Sequence, residues 1–190
     1  MKNFAELLRL ITNLIRIGTI ETIDAEHARV RVKSGENLTG WLPWITGRAG
    51  TTKDWNPPTI GEQIVLLSPS GDLAQAIVLG SLNSDEHPAP KNSGDCYHHV
   101  MPDGTFLTYN HVAHSLLIEV LGNTRLHISG TTTITVDSDS IINIGGNLKA
   151  NVSGTAAIKS DGNLTLESSG NINISAAGNT NISGATVNLN

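Results

Sequence analysis

Glycine recurs every eight residues along the C-terminal part of this chain. It stands at positions 122, 130, 146, 154, 162, 170 and 178, and Ser138 occupies the one remaining place in the series. A residue without a Cβ permits a sharp turn or a close backbone approach, so each glycine marks a predicted corner. The octad repeat over residues 122–183 therefore predicts a stack of short, similar segments.

Apolar and charged residues take opposite parities within the octads. The large apolar residues carry even numbers, with Ile141 as the exception, and all seven charged residues carry odd numbers. This period of two is typical of a β-strand that has one buried face and one solvated face. Because eight is an even number, every octad keeps its apolar residues on the same face.

Three structures that a single chain could form on its own agree poorly with the octad pattern. A disordered polar tract would share the Gly, Asn, Ser and Thr content, but it would not sort its charges by parity. A three-faced solenoid would use about three octads per coil, which leaves fewer than three coils here. A calcium-binding β-roll needs a nonapeptide period and regularly placed aspartates. Three identical chains around one axis leave no strand edge free except at the ends. We therefore predict an obligate homotrimer with an intertwined triple-stranded β-helix as its stalk.

Thirteen of the even-numbered apolar residues are assigned to the predicted interior of this trimer. They are Leu126, Ile128, Ile134, Val136, Ile142, Ile144, Val152, Ile158, Leu164, Leu166, Ile172, Ile174 and Ile182.

The pattern changes at the end of the chain, where the last apolar residues, Val187 and Leu189, are odd-numbered. Gly178 and Gly184 are also six residues apart instead of eight. A shift of one residue moves a strand's apolar set to the opposite face, so we expect a turn at residues 183–185. Val187 and Leu189 then either close the tip as an apolar plug or form a rim on which a separate cap protein docks.

The first 17 residues predict a short amphipathic helix. Apolar residues recur every three or four positions from Phe4 to Ile15, and Gly18 is placed to end the helix. The helix could cap its own domain or the trimer, or it could dock a neighbouring protein. Membrane insertion fits least, because the polar face is not strongly basic. The segment lacks the small-residue cleavage site of a signal peptide, which predicts synthesis in the cytoplasm without export by that route.

Residues 18–82 predict a small barrel of the oligonucleotide/oligosaccharide-binding (OB) type. They hold about five short strand patterns, including a hairpin that turns at residues 24–27 and a buried strand at residues 64–67. A loop rich in Pro, Ser and Asp predicts a joint at residues 83–103, and residues 104–190 are the predicted stalk and tip. The predicted fold class is thus all-β with one short helix.

The charge balance argues against a nucleic-acid partner. The formal net charge is −5, and residues 1–85 contain eight Lys or Arg against nine Asp or Glu, so no basic surface attracts a phosphate backbone. Trp41, Trp44 and Trp55 could form an aromatic platform, but burial in the core or between subunits is the favoured interpretation.

Neither a cofactor nor a catalytic centre is predicted. Five of the seven histidines lie between residues 87 and 114, but their spacing matches no structural zinc site, so they are interpreted as polar joint residues. A trimer could nonetheless gather one inward histidine from each chain around an ion on its axis. No nucleophile elbow or positioned carboxylate pair is present, and the single Cys96 fits a reducing compartment.

Several ordered segments of the head are distinctive. They are GTIETID at 18–24, RVRV at 29–32, LTGWLPW at 38–44, WNPP at 55–58, IGEQIVLLSPSGD at 60–72 and VLGSL at 78–82, followed by DGTFLTYN at 103–110. In this combination the chain resembles the phage baseplate assembly protein V family, which comprises central spikes of contractile tails, including those of R-type pyocins.

The resemblance implies a barrel that trimerises on the tail tube and a three-chain needle that pierces the target outer membrane. It also implies a baseplate hub or tail-tube partner at the head, and assembly into the baseplate of a phage or phage-tail-like particle. A type VI-like secretion spike is an alternative, and a nucleic-acid-binding OB module with a trimerising stalk is a less favoured one. Many members gather iron with a C-terminal His-x-His. The last histidine here is His127, so this tip metal is not carried over.

Overall fold

The computed structural model describes residues 4–188, and the chain divides into two units between Ile128 and Ser129. The first unit begins with helix α1. Its elements are α1 (Phe4–Asn13), β1 (Ile15–Asp24), β2 (Arg29–Ser34), β3 (Asn37–Leu38), β4 (Gln63–Leu67), β5 (Ile77–Leu82), β6 (Cys96–Val100), β7 (Phe106–Asn110) and β8 (Ser115–Glu119). Two short 3₁₀ turns, Pro69–Gly71 and Leu73–Gln75, connect β4 to β5. The chain is thus mostly β with one short helix, in agreement with the sequence.

Strands β1 to β5 form a small closed barrel. They hydrogen-bond in the order β3-β2-β1-β4-β5, and the long central β1 pairs antiparallel with both β2 and β4. The segment after β3 joins the two sides, because Leu42 forms a bridge with Val30 and Trp44 forms one with Val78. This closure agrees with the predicted OB-type head.

Alternating residues of the barrel strands fill its core. Successive side chains on a strand point to opposite faces, so buried residues alternate with more exposed ones along β2 and β4. The buried cluster consists of Ile20, Val30, Val32, Leu42, Ile64, Leu66, Ala76 and Val78. Each large side chain in it contributes roughly 1.5–3 kcal/mol relative to full exposure. This cluster makes the head a folding unit with its own hydrophobic core.

The predicted helix is present, but the expectation that Gly18 ends it is wrong. The helix ends at Asn13, and Ile15–Gly18 pair with residues 64–67 of β4. β-branched Ile15 and Ile17 suit a strand better than a helix, and the ladder with β4 satisfies their backbone groups. Gly18 allows close packing instead. A Cβ there would lie 2.5 Å from Val32 Cγ1 and 2.8 Å from the carbonyl oxygen of Lys33.

We expect Gly18→Ala to destabilise the head by about 1–3 kcal/mol, because the added methyl group overpacks the junction of β1 and β2. Gly40→Ala is the matched control, since a Cβ at that position meets nothing within 4 Å. Thermal unfolding followed by tryptophan fluorescence reports on the head, which holds all three tryptophans. Equal melting temperatures for the two variants would contradict the assigned role of Gly18.

The predicted boundary between joint and stalk at residues 103 and 104 is also wrong. Strand β6, inside the predicted joint, pairs residue by residue with β7 inside the predicted stalk, and β8 completes an antiparallel sheet in the order β6-β7-β8. A tight turn allows this pairing, because Gly104 adopts a φ of +88° and the Asp103 carboxylate accepts a hydrogen bond from the Thr105 N–H at 2.9 Å. Residues 96–119 are therefore a small sheet within the first unit.

Candidate assembly and docking surfaces

The octad region bends at regular intervals of eight residues. The bends fall at 121–122, 129–130, 137–138, 145–146, 153–154, 161–162, 169–170 and 177–178, and another falls on Ala185. The second residue of each two-residue bend is an octad glycine or Ser138. The bend at Ala185 lies inside the predicted turn at residues 183–185 and keeps the phase of the earlier bends. The eight-residue period of the glycines is thus also the period at which the backbone bends.

The described backbone of this region forms no backbone-to-backbone hydrogen bonds within its own chain. Among the described residues from 122 to 188, no backbone N–H donates to a backbone carbonyl of the same chain. The local bonds that do form involve side chains, such as the Gly170 N–H donating to Ser168 Oγ at 3.1 Å. A single chain therefore leaves these peptide groups to water or to another molecule.

The predicted interior residues are all exposed in the single chain. Their exposed fractions range from 44% for Ile128 to 85% for Ile134. One chain does not bring these side chains together into a core of its own. Val187, predicted at the tip, is also exposed, and Leu189 lies outside the described residues.

Helix α1 presents an apolar face to the outside of the head. Phe4, Leu7, Leu8 and Ile11 are between 47% and 76% exposed. The helix packs on the 3₁₀ turn Pro69–Gly71, where Gly71 at a φ of +73° lies directly against the backbone of Leu10. One side of the helix thus packs on the barrel, and the large apolar side chains on its other side are exposed to a potential partner.

Arg16 fixes the end of α1 to the barrel. Its Nη1 donates to Asn13 Oδ1 at 3.0 Å, and its Nε donates to Ser34 Oγ at 3.0 Å. The Ser34 hydroxyl in turn donates to the carbonyl oxygen of Ile17 at 2.8 Å. Asn13 and Ser34 are both buried, so these bonds are shielded from water and set the position of the helix.

Two exposed side-chain contacts in the head each shift the pKa of one partner. The hydrogen bond from the His27 ring lowers the pKa of Asp24, and the His27 backbone N–H lowers it further. The hydrogen bond with Glu6 raises the pKa of Arg9. The Asp24 contact stabilises the β1–β2 turn at any pH above the ordinary pKa of an aspartate carboxyl. This stabilisation is lost as the pH falls through the lowered pKa that Asp24 has in the folded protein.

The three tryptophans have different environments. Trp44 is partly buried and packs against the core, which agrees with the favoured interpretation for this residue. Trp55 lies 5.7 Å from Trp44 between ring centroids and is 61% exposed. Trp41 is about half exposed, and the Arg31 guanidinium carbon lies 5.9 Å from its ring centroid.

An apolar cleft of about 720 Å³ lies beside Trp44. Its walls include Ile45, Pro57, Pro58, Ile60 and Met101. The WNPP motif signalled part of this cleft, but Met101 reaches it only through the β6–β7 turn. The cleft as a whole combines segments that are distant in sequence, so it could not be predicted from a local motif.

The histidines of the predicted joint are spread over the β6–β8 sheet and its turns. His98 lies on β6, where its Nδ1 is 2.6 Å from Thr108 Oγ1 and its ring lies 5.6 Å from that of Phe106. His99 points to the opposite face of the same strand. Within residues 4–188, no group of three or more His, Cys, Asp or Glu side chains is arranged to hold a metal. None of the helices described for this chain is long and apolar enough to span a membrane.

Two comparisons with known proteins agree with this geometry. Residues 16–82, which run from the second residue of β1 to the end of β5, match the family model of the type VI secretion system/phage-baseplate injector OB domain. The chain is 39% identical over 109 residues to the spike protein of Escherichia phage P2, an alignment that covers 57% of this chain and 52% of that protein. The chain thus matches about half the length of this curated relative. The resemblance drawn from the head motifs is confirmed as a similarity: residues 16–82 match an injector OB domain, and 109 residues of the chain align with a phage spike protein.

Proposed function

We propose that this chain is the central spike of a contractile injection particle and that it works as a homotrimer. The head joins the baseplate at the end of the tail tube, and the octad region forms a three-chain needle that contraction drives through the target outer membrane. The role is structural and mechanical. The observation that carries the proposal is the octad region. It bends regularly, forms no backbone-to-backbone hydrogen bonds among its described residues and exposes its large apolar side chains, so one chain provides it with neither a sheet nor a core.

Burial of the even-numbered residues supplies the driving force for assembly. Each Leu, Ile or Val removed from water contributes roughly 1.5–3 kcal/mol, and the thirteen predicted interior residues of each chain are 44% or more exposed when the chain is alone. Backbone pairing between chains also satisfies the peptide groups that have no partner within one chain. Apolar burial and backbone pairing both favour an assembly of several copies over the single chain.

The octad glycines support the same assembly. None of them has a positive φ, so a left-handed turn does not explain them. A Cβ added at Gly122, Gly130, Gly146, Gly154 or Gly162 would meet nothing within 4 Å in the single chain. Close approach to another chain is the remaining physical reason for a residue without a side chain at each corner.

The exposed face of α1 supplies a docking surface for a baseplate hub or tail-tube protein. A relative that aligns over 109 residues of the chain is a spike protein of a phage, which supports a baseplate position for the head. At the other end, Val187 and Leu189 close the tip as a plug or receive a cap protein. No metal or nucleic acid is part of this proposal.

Sedimentation and light scattering test the assembly directly. We expect a mass about three times the 20.1 kDa of one chain at micromolar concentration, together with resistance to heat and detergent. Extracting one chain would expose the apolar faces of all three, which explains the expected resistance. A monomer at these concentrations would overturn the proposal.

A type VI-like secretion spike is the second candidate, because the matched family description names both systems. Purified contractile particles from producing cells distinguish the two. The chain should cosediment with tube and sheath proteins if it is a tail spike, and it should appear in the medium only with an active secretion apparatus if it is a secretion spike. Salt-dependent, sub-micromolar binding of single-stranded DNA would favour the nucleic-acid-binding alternative over both.

A further inference from the structure

The octads do not all place their large apolar residues at the same even-numbered positions. Because the bends recur every eight residues, the positions two, four and six residues after each corner are equivalent from octad to octad. Octads that begin at 122, 130 and 138 have their large residues at the fourth and sixth positions, whereas those that begin at 162 and 170 have them at the second and fourth. The first group is Leu126, Ile128, Ile134, Val136, Ile142 and Ile144, and the second is Leu164, Leu166, Ile172 and Ile174.

The octad at residues 154–161 lies where one arrangement gives way to the other. After its corner glycine, its even-numbered residues are Ala156, Ile158 and Ser160, so Ile158 is the one large apolar residue among them. Every other octad between residues 122 and 177 has two. All three side chains are exposed in the single chain, so no other part of that chain fills the space beside them. We name residues 154–161 the sparse octad.

The serines at the sixth position bond to the backbone at their own corners. Ser160 Oγ donates to the carbonyl oxygen of Asn163 at 3.4 Å, across the bend at 161–162. Ser168 Oγ accepts a hydrogen bond from the Gly170 N–H at 3.1 Å. A hydroxyl held at its corner supplies less interior volume than the β-branched residues at the same position in the four preceding octads. Those residues are Ile128, Val136, Ile144 and Val152.

Threefold symmetry multiplies the shortage of volume in the sparse octad. In the proposed homotrimer, the three copies of each inward residue lie at one level around the axis. The three copies of Ile158 are then the large side chains of this level, whereas neighbouring octads contribute two large residues from every chain. Side chains beside unfilled space lose contacts that a close-packed interior would provide.

We propose that the sparse octad is the loosely packed section of the needle and that the three chains separate there before they separate in the octads on either side. This inference rests on the homotrimer proposed above. A level with fewer interior contacts opens at a lower free-energy cost than the levels beside it. A uniform stack would instead open from its end, where the last strands have neighbours on one side only. In a spike that works mechanically, bending under load would concentrate at the sparse octad.

Two adjacent alanines provide a matched pair of variants. Ala156 has the inward parity, and Ala157 has the parity of the solvated face. We expect Ala156→Ile to raise the temperature at which the trimer dissociates by at least about 3 °C, because the added carbons fill unoccupied interior space. Ala157→Ile should shift it by no more than about 1 °C, and it controls for the higher strand propensity of isoleucine. Light scattering during heating measures both shifts.

The opposite sign would be equally informative. A trimer whose dissociation temperature falls in Ala156→Ile would have an interior that is already full at this level, since overpacking destabilises. That result, or equal shifts in the two variants, would overturn the inference and leave the homotrimer intact.

Hydrogen exchange of the wild-type trimer is a second measurement that needs no variant. Amides of the sparse octad should exchange at least about tenfold faster than those of residues 138–145 and 162–169. Equal rates in the three octads would overturn the inference without affecting the proposed function. A wild-type chain that sediments as a monomer would overturn both proposals.

Discussion

Ile144→Asp is expected to prevent assembly of the trimer, whereas Asn143→Asp, one residue away, is expected to leave it intact. The first change places three carboxylates close together in the predicted interior, where loss of hydration and mutual repulsion add. The cost is several kcal/mol per subunit. The second change adds the same charge on the solvated face, where the effect on stability is within about 0.5 kcal/mol. Sedimentation of both variants beside the wild type measures the difference.

The pH dependence of assembly provides an internal control for Ile144→Asp. Assembly would raise the pKa of the introduced carboxyls, because the interior disfavours their charged form. The penalty is therefore present above the ordinary carboxyl pKa of about 4 and is relieved as the pH falls toward that value. Partial recovery of the trimer in acid would support burial of the side chain. Equal damage from Ile144→Asp and Asn143→Asp at neutral pH would show that the parity assignment is wrong.

The architecture of the head could be predicted because its signals are local. Alternating apolar residues in β2 and β4 identify the buried face of each strand, and the turn at residues 25–28 separates two clear strand patterns. The end of α1 could not be predicted in the same way. Ile15 satisfies the helical spacing that begins at Phe4, and Ile17 lies within the predicted helix bounds, but the ladder with β4 places both in a strand. A distant pairing partner decided their structure.

The β6–β8 sheet shows a second limit of the sequence. Cys96 and Asn110 are paired across the sheet, although the intervening Pro, Gly and His residues resemble a loop. The Asp103-Gly104 dipeptide was the one local signal of the hairpin. The octads show the reverse case, since their period is plain in the sequence while their large apolar residues stay exposed in the described part of the chain. In the proposed assembly their contacts depend on other copies, so the repeat and its bends are the properties that one chain reveals.

Gly71→Ala is expected to loosen α1 from the head and to lower its stability by about 2–4 kcal/mol, from left-handed strain and overpacking together. Gly71 is buried at a φ of +73°, and an added Cβ would lie 2.7 Å from the carbonyl carbon of Leu10 and closer still to its oxygen. The backbone of a helix cannot move aside as a flexible side chain can, so the helix itself must shift. Faster hydrogen exchange of the α1 amides, together with a lower melting temperature of the head, measures this change. Gly94→Ala is the control, because a Cβ there meets nothing within 4 Å.

The same variant separates assembly of the needle from docking of the head. The octads are unchanged in Gly71→Ala, so the trimer should still form, while the exposed apolar residues of α1 lose their fixed position. If α1 docks the baseplate, incorporation of the spike into particles should fall several-fold more in Gly71→Ala than in Gly94→Ala. Normal incorporation despite a displaced helix would assign docking to another surface, because a binding site on α1 depends on the position that Gly71 and Leu10 set.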